Sequence, residues 1–205
     1  MRYCAYFLMF ALVLLGCKEN GGGNSLFKTT NYEELPAMSG DLINMVVEIP
    51  AGTNHKIEYD REKKRFINDQ IDGEDRVIDF LPYPGNYGFI PGTLMDKAKG
   101  GDGDALDILV IGEAQETGAV MTVIPLASLV LTDRGELDTK IIAIPAESSL
   151  RTIQADDFLD FMLEYDAARK IIEDWFLNYK GRDVVQLIRW EDDQFARAEI
   201  LKFLN

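Results

Sequence analysis

Three aspartates within six positions lead directly into an apolar run in the stretch GGDGDALDILV, residues 100–110. Two unit charges about 4 Å apart at an effective dielectric constant near 20 repel by roughly 4 kcal/mol, so converging carboxylates need cations or protons between them. The glycines of this stretch let the backbone bend tightly enough for the side chains to converge. We therefore expect Asp102, Asp104 and Asp107 to lie on a turn that enters a strand and to bind a divalent metal ion.

The residue types available restrict which metal could bind. The calcium-loop pattern started at Asp102 fails because its fifth position is Leu106 and its sixth, which should be glycine, is Asp107. Zinc is disfavoured because the predicted mature chain has one histidine, His55, and one cysteine, Cys17. Ligands that are all oxygen atoms favour magnesium or manganese.

Charge and histidine content narrow the function further. The formal net charge of −14 argues against nucleic acid as a partner, because phosphate backbones are bound by basic patches. A Ser-His-Asp triad would have to use His55, and no G-x-S-x-G sequence accompanies it. We expect His55 to be a loop residue beside a functional lysine. Chemistry must then come from carboxylates, metals, lysines, arginines and tyrosines.

The N-terminal segment MRYCAYFLMFALVLLGC has the pattern of a signal peptide. One basic residue, Arg2, precedes an apolar run from Tyr3 to Leu15 that is too short to span a bilayer comfortably. The sequence LLGC resembles the lipobox of bacterial lipoproteins, which implies cleavage after residue 16 and a lipid on Cys17. The alternative is a short uncleaved anchor with an incidental cysteine.

The lipobox resemblance predicts both a location and a domain division. It places the protein in the bacterial cell envelope, anchored by lipid to a membrane outside the cytoplasm. Residues 17–40 are predicted to be a lipidated N-terminus and flexible tether, because KENGGGNS is rich in glycine and polar residues. Residues 41–205 are predicted to form one globular catalytic domain.

The order of hydrophobic patterns predicts an α+β fold with a mostly antiparallel sheet or barrel. Helical spacing appears late, from Asp156 to Gly181, which predicts one long helix, and a short helix is expected from Asp193 to Phe203. Runs rich in β-branched residues predict five strands, at 42–49, 105–111, 120–131, 140–144 and 184–190.

A second acidic group occurs in TDRGELDTK, residues 132–140. Asp133 and Asp138 flank a turn at Gly135, and Lys140 follows on the next strand. An ordinary hairpin with solvated charges is the alternative interpretation, because Asp and Gly are standard turn residues. Further candidate polar residues occur in three other segments, as Glu48, Lys56 and Glu58, as Arg76, Tyr83 and Tyr87, and as Tyr179 and Lys180.

Taken together, these segments resemble the soluble, metal-dependent inorganic pyrophosphatases of the first type. The resemblance runs from about Val46 to the C-terminal helix. Its most specific part is the pattern D-G-D-x-x-D before an apolar strand. Five motifs occur in the order found in that family: EIPAGTNHKIEY, LPYPGNYGFIP, GDGDALDILV, TDRGELDTK and NYKG.

The resemblance implies residue roles. Asp102, Asp104 and Asp107 would hold the ions that bind the nucleophilic water, with Asp107 bridging two ions and Asp104 as candidate general base. Asp133, Asp138, Glu48 and Glu58 would complete the metal site. Asp107 and Tyr87 would join Asp104 in the catalytic set, and Tyr83 would line the site. The residues implied to bind substrate or product phosphate are Lys56, Arg76, Tyr87, Lys140, Tyr179 and Lys180.

The resemblance also implies a fold, cofactors and partners. The fold would be an OB-like five-stranded antiparallel β-barrel with flanking helices. Several Mg²⁺ ions would be bound, with Mn²⁺ as a possible substitute. A homo-oligomer is expected, because bacterial relatives commonly form hexamers. Two other functions remain open: a lipid-anchored divalent-cation or phosphate-binding protein without turnover, and a phosphohydrolase acting on nucleotides or phosphate esters.

Overall fold

A computed structural model describes residues 31–99, 101 and 103–205. The predicted signal peptide and Cys17 lie outside the described residues, and so does Asp102. The described helices are α1 (Phe158–Glu164), α2 (Asp166–Asn178) and α3 (Asp193–Lys202), with 3₁₀ helices at Tyr32–Glu34, Lys97–Lys99 and Ser148–Leu150. The described strands are β1 (Met38–Ser39), β2 (Leu42–Ile49), β3 (Ile57–Asp60), β4 (Arg65–Asn68), β5 (Gln70–Ile71), β6 (Glu74–Asp75), β7 (Asn86–Phe89), β8 (Asp107–Val110), β9 (Val120–Asp133), β10 (Glu136–Pro145) and β11 (Val185–Asp192).

The largest sheet has the strand order β1-β2-β7-β8-β10-β9-β11. Strand β2 also pairs with β9, so the pairings that run from β2 through β7, β8, β10 and β9 return to β2. The predicted α+β character is confirmed by this sheet and its late helices. The sheet is mostly antiparallel, as predicted, and its one parallel pair among the described strands is β8 with β10, which differs from the antiparallel barrel that the resemblance implied. This pairing arises because β9 carries the chain back before β10 returns beside β8.

All five predicted strands are present, as β2, β8, β9, β10 and β11. Strand β10 begins at Glu136 rather than at Lys140. Arg134 and Gly135 both have positive φ, at 51° and 90°, which matches a two-residue hairpin turn and lets β9 and β10 pair up to Asp133 and Glu136. The predicted strand starts too late because polar residues such as Asp138 continue the ladder without an apolar signal.

The predicted long helix is wrong in one respect, because two helices occupy its range. Tyr165 has φ −121° and ψ 25°, which interrupts the helical backbone between α1 and α2. Asp157 caps α1 by accepting a hydrogen bond from the backbone N–H of Asp160 at 2.9 Å. The Tyr165 side chain is half-buried against the core, and its hydroxyl accepts a hydrogen bond from the Gln154 N–H. The last helix agrees with prediction as α3.

Two apolar clusters form the main core. One includes Phe161 of α1 and Trp175 and Phe176 of α2, packed with apolar strand residues. The other includes Ile200 of α3 and the adjoining Phe203. The helices therefore cover two parts of the sheet. Across residues 31–99, 101 and 103–205, no helix has the length and apolar character needed to cross a bilayer.

Candidate active site

One cleft gathers the site residues that the sequence predicts within the described part of the chain. It consists of two adjoining pockets that share Lys56, Glu58, Tyr87 and Asp107. The first pocket adds Glu48 and Asp104 of the predicted set, and the second adds Arg76, Asp133, Asp138, Lys140, Tyr179 and Lys180.

The register of three adjacent strands sets the centre of the cleft. Parallel pairing of β8 with β10 places Lys140 opposite Asp107. Antiparallel pairing of β7 with β8 places Phe89 opposite Asp107, and Tyr87 lies two residues before Phe89. The Tyr87 hydroxyl donates a hydrogen bond to Asp107 Oδ2 at 2.6 Å. Gly88 is required beside Tyr87, because a Cβ there would lie 1.9 Å from the Val46 carbonyl oxygen of β2.

Asn86 fixes the chain just before Tyr87. Its side chain is fully buried, and its Oδ1 accepts hydrogen bonds from the N–H groups of Ala51 at 3.2 Å and Gln115 at 2.8 Å. Its Nδ2 donates to the Glu113 carbonyl at 2.9 Å. These three bonds join the segments that follow β2 and β8 to the start of β7 and so hold the backbone next to Tyr87.

Lys140 is the buried cation at the centre. Its Nζ contacts the Asp107 carboxylate and also Asp138 Oδ1, the latter at 2.5 Å. Burial lowers the pKa of Lys140, but Asp107 and Asp138 outweigh burial and hold the pKa well above its usual value. Burial alone would raise the pKa of Asp107, but the adjacent Lys140 outweighs burial, and the pKa of Asp107 is lowered. Lys140 and Asp107 are therefore both charged at neutral pH.

Two further lysines pair with carboxylates across the cleft. Lys180, just after α2, contacts Asp133 Oδ2 at 2.5 Å, and Lys56 contacts Glu58 at 2.9 Å. We expected converging carboxylates to need cations, and within the described residues these cations are lysines. Asp133 Oδ1 is buried without a hydrogen-bond partner in the described part of the chain.

Glu48 is a carboxylate whose pKa is raised by burial. Burial raises its pKa from 4.5 to about 7, although nearby Lys56 and a hydrogen bond from the Tyr59 N–H act in the opposite direction. That N–H donates to Glu48 Oε1 at 2.7 Å. Glu48 is therefore partly protonated near neutral pH until a cation approaches it.

Stacked aromatic rings support the phosphate-side residues. Trp175 of α2 stacks on Tyr179 with ring centroids 4.5 Å apart and an angle of 13°, and its Nε1 donates to the Leu81 carbonyl at 2.8 Å. Tyr83 packs against Trp175 at 4.4 Å and Tyr87 at 5.2 Å. Tyr83 is almost fully buried, so it supports the cleft from behind rather than lining it.

Arg76 lies in the wall of the cleft, although its place could not be fixed from sequence spacing. Its guanidinium Nη1 donates a hydrogen bond to Asp69 Oδ2 at 2.9 Å. His55 is exposed and forms an isolated bridge with Val77, which agrees with the loop position expected for it.

Comparison with known proteins decides the family. The sequence profile of the family described as inorganic pyrophosphatase matches residues 45–205. The chain belongs to the inorganic pyrophosphatase family. Inorganic pyrophosphatases of Synechocystis and Sulfolobus acidocaldarius are similar to it, the first 34% identical over 79% of this chain and 90% of that protein. The second is 42% identical over 53% of this chain and 58% of that protein.

Solved structures of inorganic pyrophosphatases have the same fold. The crystal structure from Neisseria gonorrhoeae matches with a TM-score of 0.71 and 30% identity, covering 85% of this chain and 96% of that one. The structure from Thermus thermophilus matches with a TM-score of 0.70 and 30% identity, covering 84% and 98%. The type I enzyme of Toxoplasma gondii gives a TM-score of 0.77 and 29% identity, covering 85% of each chain.

The pyrophosphatase cleft also contains residues that sequence analysis missed. Arg61, Tyr59 and Phe89 line the first pocket beside Ala105, and Glu136 and Leu137 line the second. Glu136 could have been found, because it lies between Asp133 and Asp138 in the same motif. The aromatic pair could not, because Tyr59 and Phe89 meet only through long-range packing, with ring centroids 6.0 Å apart.

The residues of this pyrophosphatase fit a hard divalent cation. The cleft offers only carboxylate oxygens as charged ligands, and one of them, Asp133 Oδ1, is buried without a partner among the described residues. In the described ranges, which exclude Asp102, no group of three or more acidic, His or Cys side chains already converges tightly enough to hold an ion. Lysines occupy the space between the carboxylates instead.

Proposed function

We propose that this inorganic pyrophosphatase hydrolyses pyrophosphate to two phosphates in the cleft that residues of β7, β8 and β10 help to line. The observation that carries the proposal is the arrangement of four cationic side chains, among the described residues, around the carboxylate-lined second pocket of the cleft. Two like-charged phosphoryl groups need that neutralisation before a nucleophile can approach. The four cationic residues are Lys56, Arg76, Lys140 and Lys180.

The carboxylates would hold Mg²⁺, with Mn²⁺ as a possible substitute. The proposed ligands are Glu48, Glu58, Asp102, Asp107, Asp133 and Asp138. When bound, the ions neutralise phosphoryl oxygens and lower the pKa of coordinated water. Asp104 lines the same pocket as Glu48 and Asp107 and is the proposed general base, which accepts the proton of the attacking water.

Tyr87 is the proposed orienting group of the catalytic set. Burial, followed by nearby Asp107, raises the pKa of its hydroxyl well above the usual value. The hydroxyl therefore stays protonated at neutral pH and acts as a hydrogen-bond donor. It fixes the Asp107 carboxylate and contacts Lys140 Nζ at 3.2 Å, so both groups are oriented before substrate arrives.

Lys180 and Tyr179 are proposed to bind the phosphate that leaves. Both follow α2 and line the second pocket with Lys140 and Arg76. Charge moves onto the leaving phosphate during the reaction, so fixed cations there stabilise the transition state more than the ground state. The stacking of Trp175 on Tyr179 fixes this end of the cleft.

The finer fold and the anchoring remain our proposals. The cyclic strand pairing supports an OB-like barrel, although the parallel β8–β10 pair shows that such a barrel is not wholly antiparallel. The LLGC sequence supports a lipid on Cys17 and a location at a membrane outside the cytoplasm. Cys17→Ala should then move the protein from the membrane fraction to the soluble fraction, and unchanged fractionation would contradict the anchor. A homo-oligomer also remains a prediction, which a measurement of the molar mass in solution by light scattering would test.

A substrate panel tests the proposed function. Release of inorganic phosphate is measured with Mg²⁺ and equal concentrations of pyrophosphate, ATP and a phosphate monoester. We expect pyrophosphate to give the highest kcat/KM. Faster turnover of ATP or the ester would support a nucleotide or ester phosphohydrolase instead. The comparisons give no support to a cation-binding protein without turnover.

A further inference from the structure

A small hairpin beside the cleft connects two of its cationic residues. Strands β5 and β6 pair through Gln70 with Asp75 and Ile71 with Glu74. Between them, Asp72 and Gly73 have φ of 56° and 86°, as a two-residue type I′ turn requires. All four paired residues are exposed, so apolar burial does not explain the hairpin.

The base of this hairpin holds the main chain of Lys56. The Lys56 N–H donates to the Arg76 carbonyl at 3.0 Å, and the Lys56 carbonyl accepts from the Asp69 N–H at 2.7 Å. The Arg76 N–H donates to the Asp69 carbonyl at 2.7 Å. The Asn68 amide donates to the carbonyls of Asp69 and Arg76 at 3.1 Å and 3.2 Å. One compact set of bonds therefore fixes the backbone of both cationic residues.

The Asp69 side chain extends this arrangement to the guanidinium of Arg76. Asp69 Oδ2 accepts a hydrogen bond from Arg76 Nη1 at 2.9 Å, while Oδ1 accepts one from the Gln70 N–H at 2.8 Å. With both oxygens engaged, the carboxylate has a fixed orientation, and it holds one end of the guanidinium in turn. Arg76 has five N–H donors and uses one of them here, so the others can face the cleft.

We propose that the hairpin from Asp69 to Arg76 orients the phosphate-side cations of the cleft, with Asp69 as the positioning residue for Arg76. The inference deepens the proposed function and rests on it. Asp69 itself does not line the cleft, so it acts through Arg76 and is not a catalytic residue.

Positioning explains this ion pair better than stability does. The side chains of Arg76 and Asp69 are 26% and 32% exposed, and partly exposed pairs contribute little to folding stability. A free arginine side chain has many rotamers, and each would have to be restricted when pyrophosphate binds. Holding the guanidinium in advance removes that cost from the binding step.

A double-mutant cycle tests the proposal. The variants are Asp69→Ala, Arg76→Ala and the pair together, with Glu74→Ala as the matched control. Glu74 lies on the same hairpin and is exposed, so its replacement also removes one negative charge. The measurements are kcat and KM for pyrophosphate with Mg²⁺ and the affinity for inorganic phosphate. All are made well below the thermal midpoint of the least stable variant.

Asp69→Ala should lower kcat/KM by about tenfold in the otherwise unchanged protein, the effect of losing one charge-assisted hydrogen bond. In the Arg76→Ala background the same change should have an effect of less than about twofold, because Asp69 then has no guanidinium to orient. Asp69→Asn, which retains one acceptor oxygen, should lose less than Asp69→Ala. Glu74→Ala should leave kcat/KM unchanged.

Two results would overturn the proposal: equal losses from Asp69→Ala in both backgrounds, or no loss in either. Phosphate affinity separates this outcome from failure of the proposed function. If the unaltered protein did not hydrolyse pyrophosphate, the proposed function would fail, but phosphate binding would still report on positioning. Weaker phosphate binding in Asp69→Ala, absent in the Arg76→Ala background, would support the role of Asp69 even then.

Discussion

Lys140 Nζ lies between the carboxylates of Asp107 and Asp138, with 2.5 Å to the second, and its side chain is only 5% exposed. Parallel pairing of β8 with β10 creates this contact by placing Lys140 opposite Asp107. The protein itself therefore neutralises part of the negative charge at the centre of the cleft. Mutations that remove a lysine should disturb folding as well as catalysis.

Lys140→Met tests how much the neutralisation of these two carboxylates contributes to stability. The change leaves two largely buried carboxylates without their cation, so the free energy of unfolding should fall by about 3 kcal/mol. Urea unfolding of the metal-free protein measures it. Lys170→Met is the matched control, because Lys170 pairs with Asp166 at 62% exposure and should contribute less than about 0.5 kcal/mol. Equal effects of the two changes would show that burial of the central lysine is not decisive.

Trp175→Phe tests the aromatic support of the phosphate side. The variant loses the hydrogen bond to the Leu81 carbonyl and part of the stack on Tyr179, so KM for pyrophosphate should rise about threefold to tenfold. Trp190→Phe is the control, because Trp190 also donates a hydrogen bond, to Glu173, but its ring packs against Phe161 and not against the cleft residue Tyr179. A rise in KM for Trp190→Phe as large as that for Trp175→Phe would rule out a local effect.

The pKa of Glu48 predicts a pH dependence of stability in EDTA. Folding raises this pKa from 4.5 to about 7, mainly by burial, although Lys56 opposes the shift and Asp107 and Glu58 reinforce it. A raised pKa favours the neutral form in the folded state. The stability contribution of Glu48 is therefore full below pH 4.5 and lost as the pH rises through 7.

Glu48→Gln removes that dependence, because glutamine is neutral throughout. The free energy of unfolding of the variant minus that of the unaltered protein should increase by about 2–3 kcal/mol from pH 4.5 to pH 8. Urea unfolding at several pH values in EDTA measures the difference. Glu74→Gln, at an exposed position, is the control. A constant difference between Glu48→Gln and the unaltered protein across this range would contradict the assignment.

Metal binding should stabilise the folded chain even without substrate. Ligand at about 100 times its dissociation constant adds about 2.7 kcal/mol to the free energy of unfolding. Mg²⁺ should therefore raise the thermal midpoint, and EDTA should reverse the rise. Asp107→Asn should show a much smaller rise, whereas Asp166→Asn, at a position outside the cleft, should respond normally. An equal response of both variants would argue against a metal site at Asp107.

Local sequence patterns predicted much of the fold. The apolar run of β2 and the short helical segment of α3 are encoded in neighbouring residues, so their positions agree with expectation. The break at Tyr165 was missed because an aromatic residue at helical spacing gives no local sign that the backbone will turn. The parallel β8–β10 pair was missed because strand order depends on contacts between distant segments.

The site shows the same division between local and long-range information. Motif residues such as Asp107 and Lys180 could be named in advance, and those in the described ranges do line one cleft, except that Tyr83 lies behind it. Their pairings could not be named, because the contact of Lys180 with Asp133 depends on how α2 ends beside β9. The Asp69–Arg76 pair was likewise hidden, since only the β5–β6 turn brings those two residues together.

The most direct test of the account is phosphate release from pyrophosphate with Mg²⁺, comparing the unaltered protein with Asp107→Asn. The circular dichroism spectrum of each protein is recorded to check that both are folded. We predict rapid, Mg²⁺-dependent turnover by the unaltered protein and a loss of at least about a hundredfold in kcat for the variant. Absence of turnover in the unaltered protein, or undiminished turnover in Asp107→Asn, would contradict the account.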